Sequence, residues 1–145
     1  MLFRSQELMT GTHNFTTGTG DTFKAALYLT SATYNAATTA YSATGEVSGT
    51  GYTAGGVAVT NGTSPLSTNT SATAGTAYWT PSASITYTSV TLSTAFDAVL
   101  IYNSSKSDKA VSVHTFGSQT VTAGTFTLTM PSNTTSTALI RLATT

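Results

Sequence analysis

The chain has 145 residues, and its charged fraction of 7 % is far below the roughly 25 % of an ordinary globular protein. The formal net charge of zero supplies no basic surface for a phosphate backbone, so nucleic acid is not expected as a partner. Because the sequence contains no cysteine, disulfides and thiolate metal sites are excluded. Thr (35 residues) and Ser (18 residues) dominate, while seven Tyr and six Phe argue against disorder.

The N-terminal segment, residues 1–19, is expected to form an arm. Residues 3–9 have a short helical pattern, and the apolar anchors of the arm are Leu2, Phe3, Leu8 and Met9. Four anchors are too few for the segment to fold alone, so we expect it to order on a partner, through contacts with another subunit or a larger assembly. Deletion of residues 1–18 is then expected to leave the rest of the chain folded. We expect neither a signal peptide nor a membrane anchor, because no long apolar run occurs.

Residues 20–145 are expected to form one β domain. Apolar residues alternate with period two, which is typical of strands with one exposed face; the segments are 22–29, 56–60, 84–92, 109–116, 125–130 and 138–142. Residues 96–102 are almost continuously apolar, which predicts a central strand covered on both faces. Turn signals lie at 61–62, 103–107, 117–118 and 123–124, and residues 60–76 are expected to be a long exposed loop. The pattern predicts an all-β protein, an antiparallel β-sandwich or barrel (jelly-roll-like), with a short N-terminal arm or helix.

The glycine-rich sequence GEVSGTGYTAGG, residues 45–56, has the spacing of a dinucleotide-binding loop. No helical pattern follows it, and no acidic residue lies between Glu46 and Asp97, so neither a nucleotide nor any other cofactor is expected. We expect a structural turn instead, in which glycine permits positive φ or a close approach of two strands. Its residues are Gly45, Glu46, Gly49, Gly51, Tyr52, Gly55 and Gly56. The Tyr52 hydroxyl is expected in solvent. Glu46, Lys24 and Arg141 lie inside or beside apolar strand sequence, so each is expected to have a specific partner within the domain or across a subunit contact.

Candidate catalytic residues are few. His13 and His114 are the only possible bases for a hydroxyl nucleophile, and the position of His114 in an alternating segment indicates a solvated strand residue. Glu46 could pair with Asp97 or Asp108 as the two carboxylates that glycoside hydrolysis requires, but any chain with several acids allows such a pair. The two histidines lack neighbouring acids at ligand spacing, so no metal is expected. The sequence leaves open one alternative, a Ca²⁺ site formed mainly by backbone carbonyl oxygens. We expect a non-enzymatic protein.

Several short motifs occur along the chain, and their order is more specific than any one of them alone. They are DTFKAALY (21–28), GEVSGTGY (45–52) with GG (55–56), LIYNSSK (100–106), KAV (109–111), FG (116–117), GTF (124–126) and ALIRL (138–142). In this order they resemble a family of small tailed-bacteriophage virion structural proteins, over residues 20–143. The family would have Asp-rich sequence before Trp79, and residues 61–80 contain no Asp, which removes support for a metal or charge-pairing role there.

The resemblance implies a structural role in the virion rather than catalysis. A domain with few charges and many hydroxyls suits adhesion through many small contacts, so we expect a capsid decoration (cement) protein, as a homotrimer bound to the major capsid protein on the outer surface of the head. Leu2, Phe3, Leu8 and Met9 are then the expected capsid or subunit contacts. The alternative is a tail, fibre or adaptor component. A carbohydrate-binding module and a small hydrolase are further alternatives. No membrane partner is expected.

Overall fold

The computed structural model describes residues 2–3, 5–70 and 75–143. The elements within these residues are β1 (Leu2–Phe3), α1 (Ser5–Met9), β2 (Phe23–Leu29), β3 (Val57–Val59), β4 (Leu66–Ser67), β5 (Thr76–Trp79), β6 (Ile85–Asn103), β7 (Lys109–Leu128) and β8 (Ile140–Ala143). They form a five-stranded sheet in the order β1-β7-β6-β2-β3 and a three-stranded sheet in the order β4-β5-β8. All pairings are antiparallel. The predicted all-β fold is confirmed, with two antiparallel sheets as expected for a sandwich; the described strands show no closed barrel.

The centre of the larger sheet is β6, as its apolar sequence predicted. From Phe96 to Asn103 it pairs with β2 on one side and β7 on the other. Val99 and Ile101 face the main core, and Leu100 and Tyr102 face a second cluster on the opposite side of the sheet. Because both faces of the strand are covered, the alternation of polar and apolar residues disappears here.

Two predicted pairs of strands are single long strands. The segments 84–92 and 96–102 are both part of β6, and the segments 109–116 and 125–130 are joined in β7. The turn predicted at residues 117–118 is therefore wrong: β7 continues through them, with a register shift against β6 between Thr115 and Gln119. At residues 123–124 the register shifts and Ala123 has a φ of 45°, so this signal marks a bulge rather than a turn. The predicted turn at 103–107 is present as the loop between β6 and β7.

The connection between β2 and β3 covers the second face of the larger sheet. Tyr34 stacks on Tyr28 with ring centroids 3.6 Å apart, and Tyr41 stacks on Tyr102 at 4.8 Å. Ala40 forms a bridge with Lys109 at the start of β7. This cover explains why Tyr28 and Tyr102 are buried although they point away from the main core.

The N-terminal segment is packed against the domain, which revises the arm expected over residues 1–19. Leu2 and Phe3 pair with Val113 and Ser112 of β7. The ring of Phe15 stacks on Phe23 with centroids 4.8 Å apart. Aromatic burial of this size stabilises a domain substantially, so the segment belongs to the folded unit that residues 20–145 were expected to form alone.

Trp79 joins the smaller sheet to this aromatic cluster. Its ring lies 4.5 Å from that of Phe15, centroid to centroid. The indole nitrogen donates to Asn61 Oδ1 at 3.1 Å and to the Thr63 carbonyl at 3.0 Å, and the Asn61 amide donates to the Phe15 carbonyl at 3.0 Å. The segment 60–76, predicted as an exposed loop, is largely so in its described part, with the short exposed strand β4 inside it; residues 71–74 lie outside the described residues.

Candidate functional site

The glycine-rich segment 45–56 lies along the outer edge of β2. Glu46 forms a bridge with Tyr28, the Val47 amide donates to the Leu27 carbonyl at 3.0 Å, and the Leu29 amide donates to the Gly45 carbonyl at 2.9 Å. The strand β3 pairs with β2 only at residues 23–25. The segment therefore continues the sheet where β3 does not reach.

Glycine is required in this segment for two physical reasons. The residues with positive φ are Gly45 (76°), Gly51 (77°), Gly55 (87°) and Gly56 (72°). Gly49 instead lies so close to the Thr91 carbonyl oxygen of β6 that a Cβ would overlap it. Both situations exclude larger residues. The segment is followed by β3 and not by a helix, unlike a nucleotide-binding loop.

The Glu46 carboxylate is the centre of a hydrogen-bond network. Oε1 accepts from the Tyr52 hydroxyl at 2.7 Å and from the Gly55 amide at 2.8 Å, and Oε2 accepts from the Tyr41 hydroxyl at 2.7 Å. The Tyr102 hydroxyl donates to the Gly55 carbonyl at 2.8 Å. These bonds tie the glycine segment to the connection before it and to β6.

The Tyr52 hydroxyl was expected in solvent, and this expectation is wrong. It accepts a hydrogen bond from the Leu27 amide at 3.0 Å while it donates to Glu46. The residue is placed over the bend as expected, but its ring also lies parallel to that of Tyr87. The hydroxyl therefore satisfies a backbone amide of β2 that has no strand partner at this point.

Burial raises the pKa of the tyrosines around Glu46. Desolvation is the main cause for Tyr41 and Tyr52, and their hydrogen bonds to Glu46 raise the pKa further. The pKa of Tyr102 is raised to about 12, mainly by burial. The hydroxyls therefore stay neutral donors at physiological pH, which is the state that holds the Glu46 carboxylate. The arrangement fixes a loop and leaves no phenolate as a nucleophile.

Replacement of Glu46 by Ala should lower the free energy of unfolding by about 3 kcal/mol, because buried donors on Tyr52 and Gly55 lose a charged acceptor. Glu46→Gln should cost less, since the remaining amide oxygen can still accept both bonds. Urea denaturation of the two variants measures the difference. Equal, negligible losses for both variants would show that Glu46 is a solvated residue without a structural role.

The four residues proposed as N-terminal contacts have different environments. Leu2 and Phe3 belong to β1, and Leu8 packs partly buried against the main core. Met9 is 87 % exposed. Met9 is therefore better placed for an external contact than Leu8.

An apolar cleft of about 300 Å³ lies between the N-terminal segment and the smaller sheet. Its lining includes Leu8, Phe15, Trp79 and Leu142. The large hydrophobic residues that are exposed among the described residues are Met9 (87 %), Leu66 (47 %) and Leu142 (45 %). Leu142 is part of the lining, and Met9 and Leu66 each follow a lining residue in sequence. The cleft had no sequence signal, because its lining residues come from four separate segments.

A polar cluster lies at the junction of the N-terminal segment and β6. The buried Asn103 amide donates to Asp21 Oδ2 at 2.7 Å and contacts His13 Nδ1 at 3.1 Å. Lys106 lies 3.8 Å from the other oxygen of Asp21. His13 is buried, and its Nε2 has no hydrogen-bond partner within the described part of the chain. Sequence reasoning considered His13 only as a base, whereas here it packs at the edge of the core.

His114 is half-buried and differs from the solvated residue that was expected. Its Nε2 lies 3.0 Å from Ser112 Oγ. Burial lowers the pKa of His114 to about 4 and lowers the pKa of His13 as well. Glu7 and Asp21 partly oppose the shift at His13 by favouring the charged form.

Stability should therefore fall as the pH falls from 7 to 4. The unfolded chain binds protons on its histidines near pH 6.5, before the folded protein does, so the stabilisation present above this pH is lost as the pH falls toward the folded pKa. For His114 the loss approaches about 3 kcal/mol, at about 1.4 kcal/mol for each pKa unit. Melting temperatures across this range measure it, and the His13→Gln/His114→Gln variant should show a flatter profile. If the melting temperature of this variant depended on pH as it does in the wild type, protonation of carboxylates, and not of the histidines, would account for the loss of stability.

No family model, no curated protein and no solved structure matches this chain. Within residues 2–3, 5–70 and 75–143, no group of three or more His, Asp or Glu side chains is arranged to hold a metal ion. No helix in the same residues is long and apolar enough to cross a membrane.

Proposed function

We propose that this protein is a structural component of a tailed-bacteriophage virion and, more specifically, a capsid decoration protein that binds the major capsid protein on the outer surface of the head. The resemblance of the ordered motifs between residues 20 and 143 supports the virion role. The proposed activity is adhesion, and no bond-making step is assigned to any residue.

The observation that carries the assembly role is the exposed edge of β7. This strand continues to Leu128, and its outer edge is paired only as far as Val113 among the described residues. Between Lys109 and Arg141 the sequence contains no Lys, Arg, Asp or Glu. Soluble proteins usually protect such an edge with charge, cover or β-bulges; β7 has register shifts near Gln119 and Gly124, but beyond Val113 it has neither charge nor a covering strand among the described residues. An uncharged open edge favours a protein that works in contact with other chains.

Contact with the capsid is proposed through the apolar cleft and its rim. Met9, Leu66 and Leu142 are exposed although they are large and apolar, and such residues often mark interaction sites. Met9 retains the contact role proposed for the N-terminal segment. A Met9→Ser/Leu142→Ser variant should fold normally and bind undecorated heads less tightly than the wild type.

The copy number of the protein in purified virions tests this function. Quantitative mass spectrometry against the major capsid protein should give a copy number of the same order as that protein for a decoration role. A copy number equal to that of known tail proteins would favour the alternative, a tail, fibre or adaptor component. Absence of the protein from purified virions would overturn both roles.

A further inference from the structure

The dipeptide Asn61-Gly62, one of the turn signals of the sequence, also has a chemistry of its own. It lies in the irregular segment after β3, and Asn61 is the only Asn in the sequence that is followed by Gly. In unfolded chains Asn-Gly is the Asn dipeptide that deamidates fastest, because glycine has no Cβ to shield its backbone nitrogen or to restrict its backbone. The sequence therefore contains a deamidation site, and its surroundings decide whether it can react.

Deamidation starts when the Gly62 backbone nitrogen attacks Asn61 Cγ. The new C–N bond closes a succinimide ring, the bond from Cγ to Nδ2 breaks, and Nδ2 leaves as ammonia with the proton that Gly62 gives up. Water then adds to one of the two ring carbonyls and opens the ring, which leaves aspartate or isoaspartate at position 61. The reaction therefore requires that Cγ move onto the nitrogen and that the Gly62 amide lose its proton.

The Asn61 side chain is held by two hydrogen bonds. Its Nδ2 donates to the Phe15 carbonyl at 3.0 Å, and its Oδ1 accepts from the Trp79 indole nitrogen at 3.1 Å. Trp79 is 2 % exposed and Phe15 is 6 % exposed, so both partners belong to the core and cannot follow the side chain. Movement of Cγ toward Gly62 would break both bonds.

The Gly62 amide is held as well. It donates to Ser82 Oγ at 2.9 Å, and the Ser82 hydroxyl donates to the Thr60 carbonyl at 3.2 Å. The Ser82 amide donates to the same carbonyl at 3.0 Å, which fixes the serine against the chain just before Asn61. The proton that Gly62 must lose is therefore engaged in a hydrogen bond.

The same contacts explain why a reactive dipeptide occurs here. Position 61 needs a side chain that both donates and accepts, which an amide does and a carboxylate does not. Position 62 needs glycine, because a Cβ there would overlap Ser82 Oγ. The fold thus requires the two residues that make the site reactive once it opens.

We propose that Asn61 is a deamidation site that the native fold keeps closed, and that its reaction hinders the fold from closing again. Reaction needs a local opening of the segment, so its rate in the native protein follows the open fraction. After reaction, a carboxylate oxygen faces the Phe15 carbonyl where a donor stood, and isoaspartate also lengthens the main chain. The proposal does not depend on the virion role.

Deamidation rates of the purified full chain test whether the site is closed. The protein is incubated at mildly alkaline pH, native or unfolded in guanidinium chloride, and peptide mass spectrometry follows the conversion of Asn61 to aspartate and isoaspartate. We expect the native protein to react at least about tenfold more slowly, because reaction waits for local opening. Equal rates would overturn the proposal, and so would a faster native reaction, in which the Trp79 indole activates Asn61 Cγ.

A pair of serine variants tests the contact with the Gly62 amide. Ser82→Ala should raise the native rate about two- to tenfold, the factor that one hydrogen bond contributes. Ser84→Ala is the control, because Ser84 is also exposed and its hydroxyl accepts from the Met130 amide instead. A native rate in Ser82→Ala no higher than that in Ser84→Ala would overturn the role of this contact in keeping the site closed.

The variant Asn61→Asp reproduces the product with the normal main chain. It should lower the equilibrium constant of folding at least about fivefold in urea denaturation, because the Phe15 carbonyl loses its donor and faces a charge. Asn69→Asp adds the same charge at an exposed position and should leave this constant nearly unchanged. Equal constants for the two variants would overturn the claim that the product hinders closing.

Discussion

Deletion of residues 1–18 is expected to unfold the domain, in contrast to the expectation from the sequence alone. The deletion removes the Phe15 ring, which contacts both Phe23 and Trp79. It also removes His13 from the buried Asn103 amide. Loss of a buried aromatic side chain alone costs about 3–5 kcal/mol, which is comparable to the total stability of a small domain at about 5–15 kcal/mol.

The single substitution Phe15→Ala separates the loss of aromatic packing from the removal of the whole N-terminal segment. It should lower the free energy of unfolding by about 3–5 kcal/mol, because the ring is only 6 % exposed and its removal takes away the contacts with Phe23 and Trp79. Leu66→Ala is the matched control, since Leu66 is 47 % exposed and should change stability by less than about 0.5 kcal/mol. Chemical denaturation monitored by the fluorescence of Trp79 is well suited, because Trp79 contacts Phe15 directly.

A truncated chain that stays folded with wild-type stability would contradict this prediction. It would support the expectation from the sequence, in which the N-terminal segment is an arm that contacts a partner and is not needed for folding. A truncated chain that is unfolded, together with a destabilised Phe15→Ala variant, would place residues 1–19 within the domain. Loss of virion attachment after truncation would then no longer identify the segment as a contact site, because an unfolded protein cannot attach.

The periodicity of the sequence predicted the strands well, because burial of one face imposes period two on each of them. The continuous apolar run at residues 96–102 also predicted the most buried strand, since both of its faces are covered. What local pattern could not supply was the length of β6 and β7. Gly117 and Ser118 are turn formers in isolation, but in β7 they lie in a register shift between the paired residues Thr115 and Gln119 instead of forming a turn.

The N-terminal segment was misjudged because its core residues are isolated. Phe15 stands between polar residues in the sequence, so no period indicates burial, and the four anchors counted were those nearest the N-terminus. The aromatic cluster joins Phe15 and Phe23 of the N-terminal part of the chain to the distant Trp79. Contacts of this kind depend on the tertiary fold and leave no local signal.

The site around Glu46 was predicted in part. A partner for Glu46 was expected because an ionised group beside apolar strand sequence must be satisfied. The identity of the partners required the structure, since Tyr41 and Tyr52 come from either side of Glu46 at unequal spacing. The sequence predicted that the glycines permit positive φ or a close approach of two strands. Only the structure shows which glycine has which role.

Gly56→Ala is expected to be among the most destabilising single substitutions in the protein. Gly56 has a φ of 72°, which costs alanine about 1–2 kcal/mol. A Cβ would also overlap the Ala25 carbonyl oxygen and lie 2.8 Å from Ala26 Cα. These are backbone atoms of β2, so relief requires β3 to move away from its partner strand, at a further cost of about 1–3 kcal/mol.

Two other glycines separate the two contributions of Gly56. Gly11 also has a positive φ, 68°, but a Cβ there would meet nothing within 4 Å, so Gly11→Ala should show the backbone cost alone, about 1–2 kcal/mol. Gly117 has open space and no positive φ, so Gly117→Ala should be neutral or stabilising by about 0.4–1 kcal/mol. Urea denaturation should therefore rank the losses as Gly56, then Gly11, then Gly117. If Gly56→Ala cost no more than Gly11→Ala, the close approach of residue 56 to β2 would not contribute to stability, and position 56 would need glycine for its φ value only.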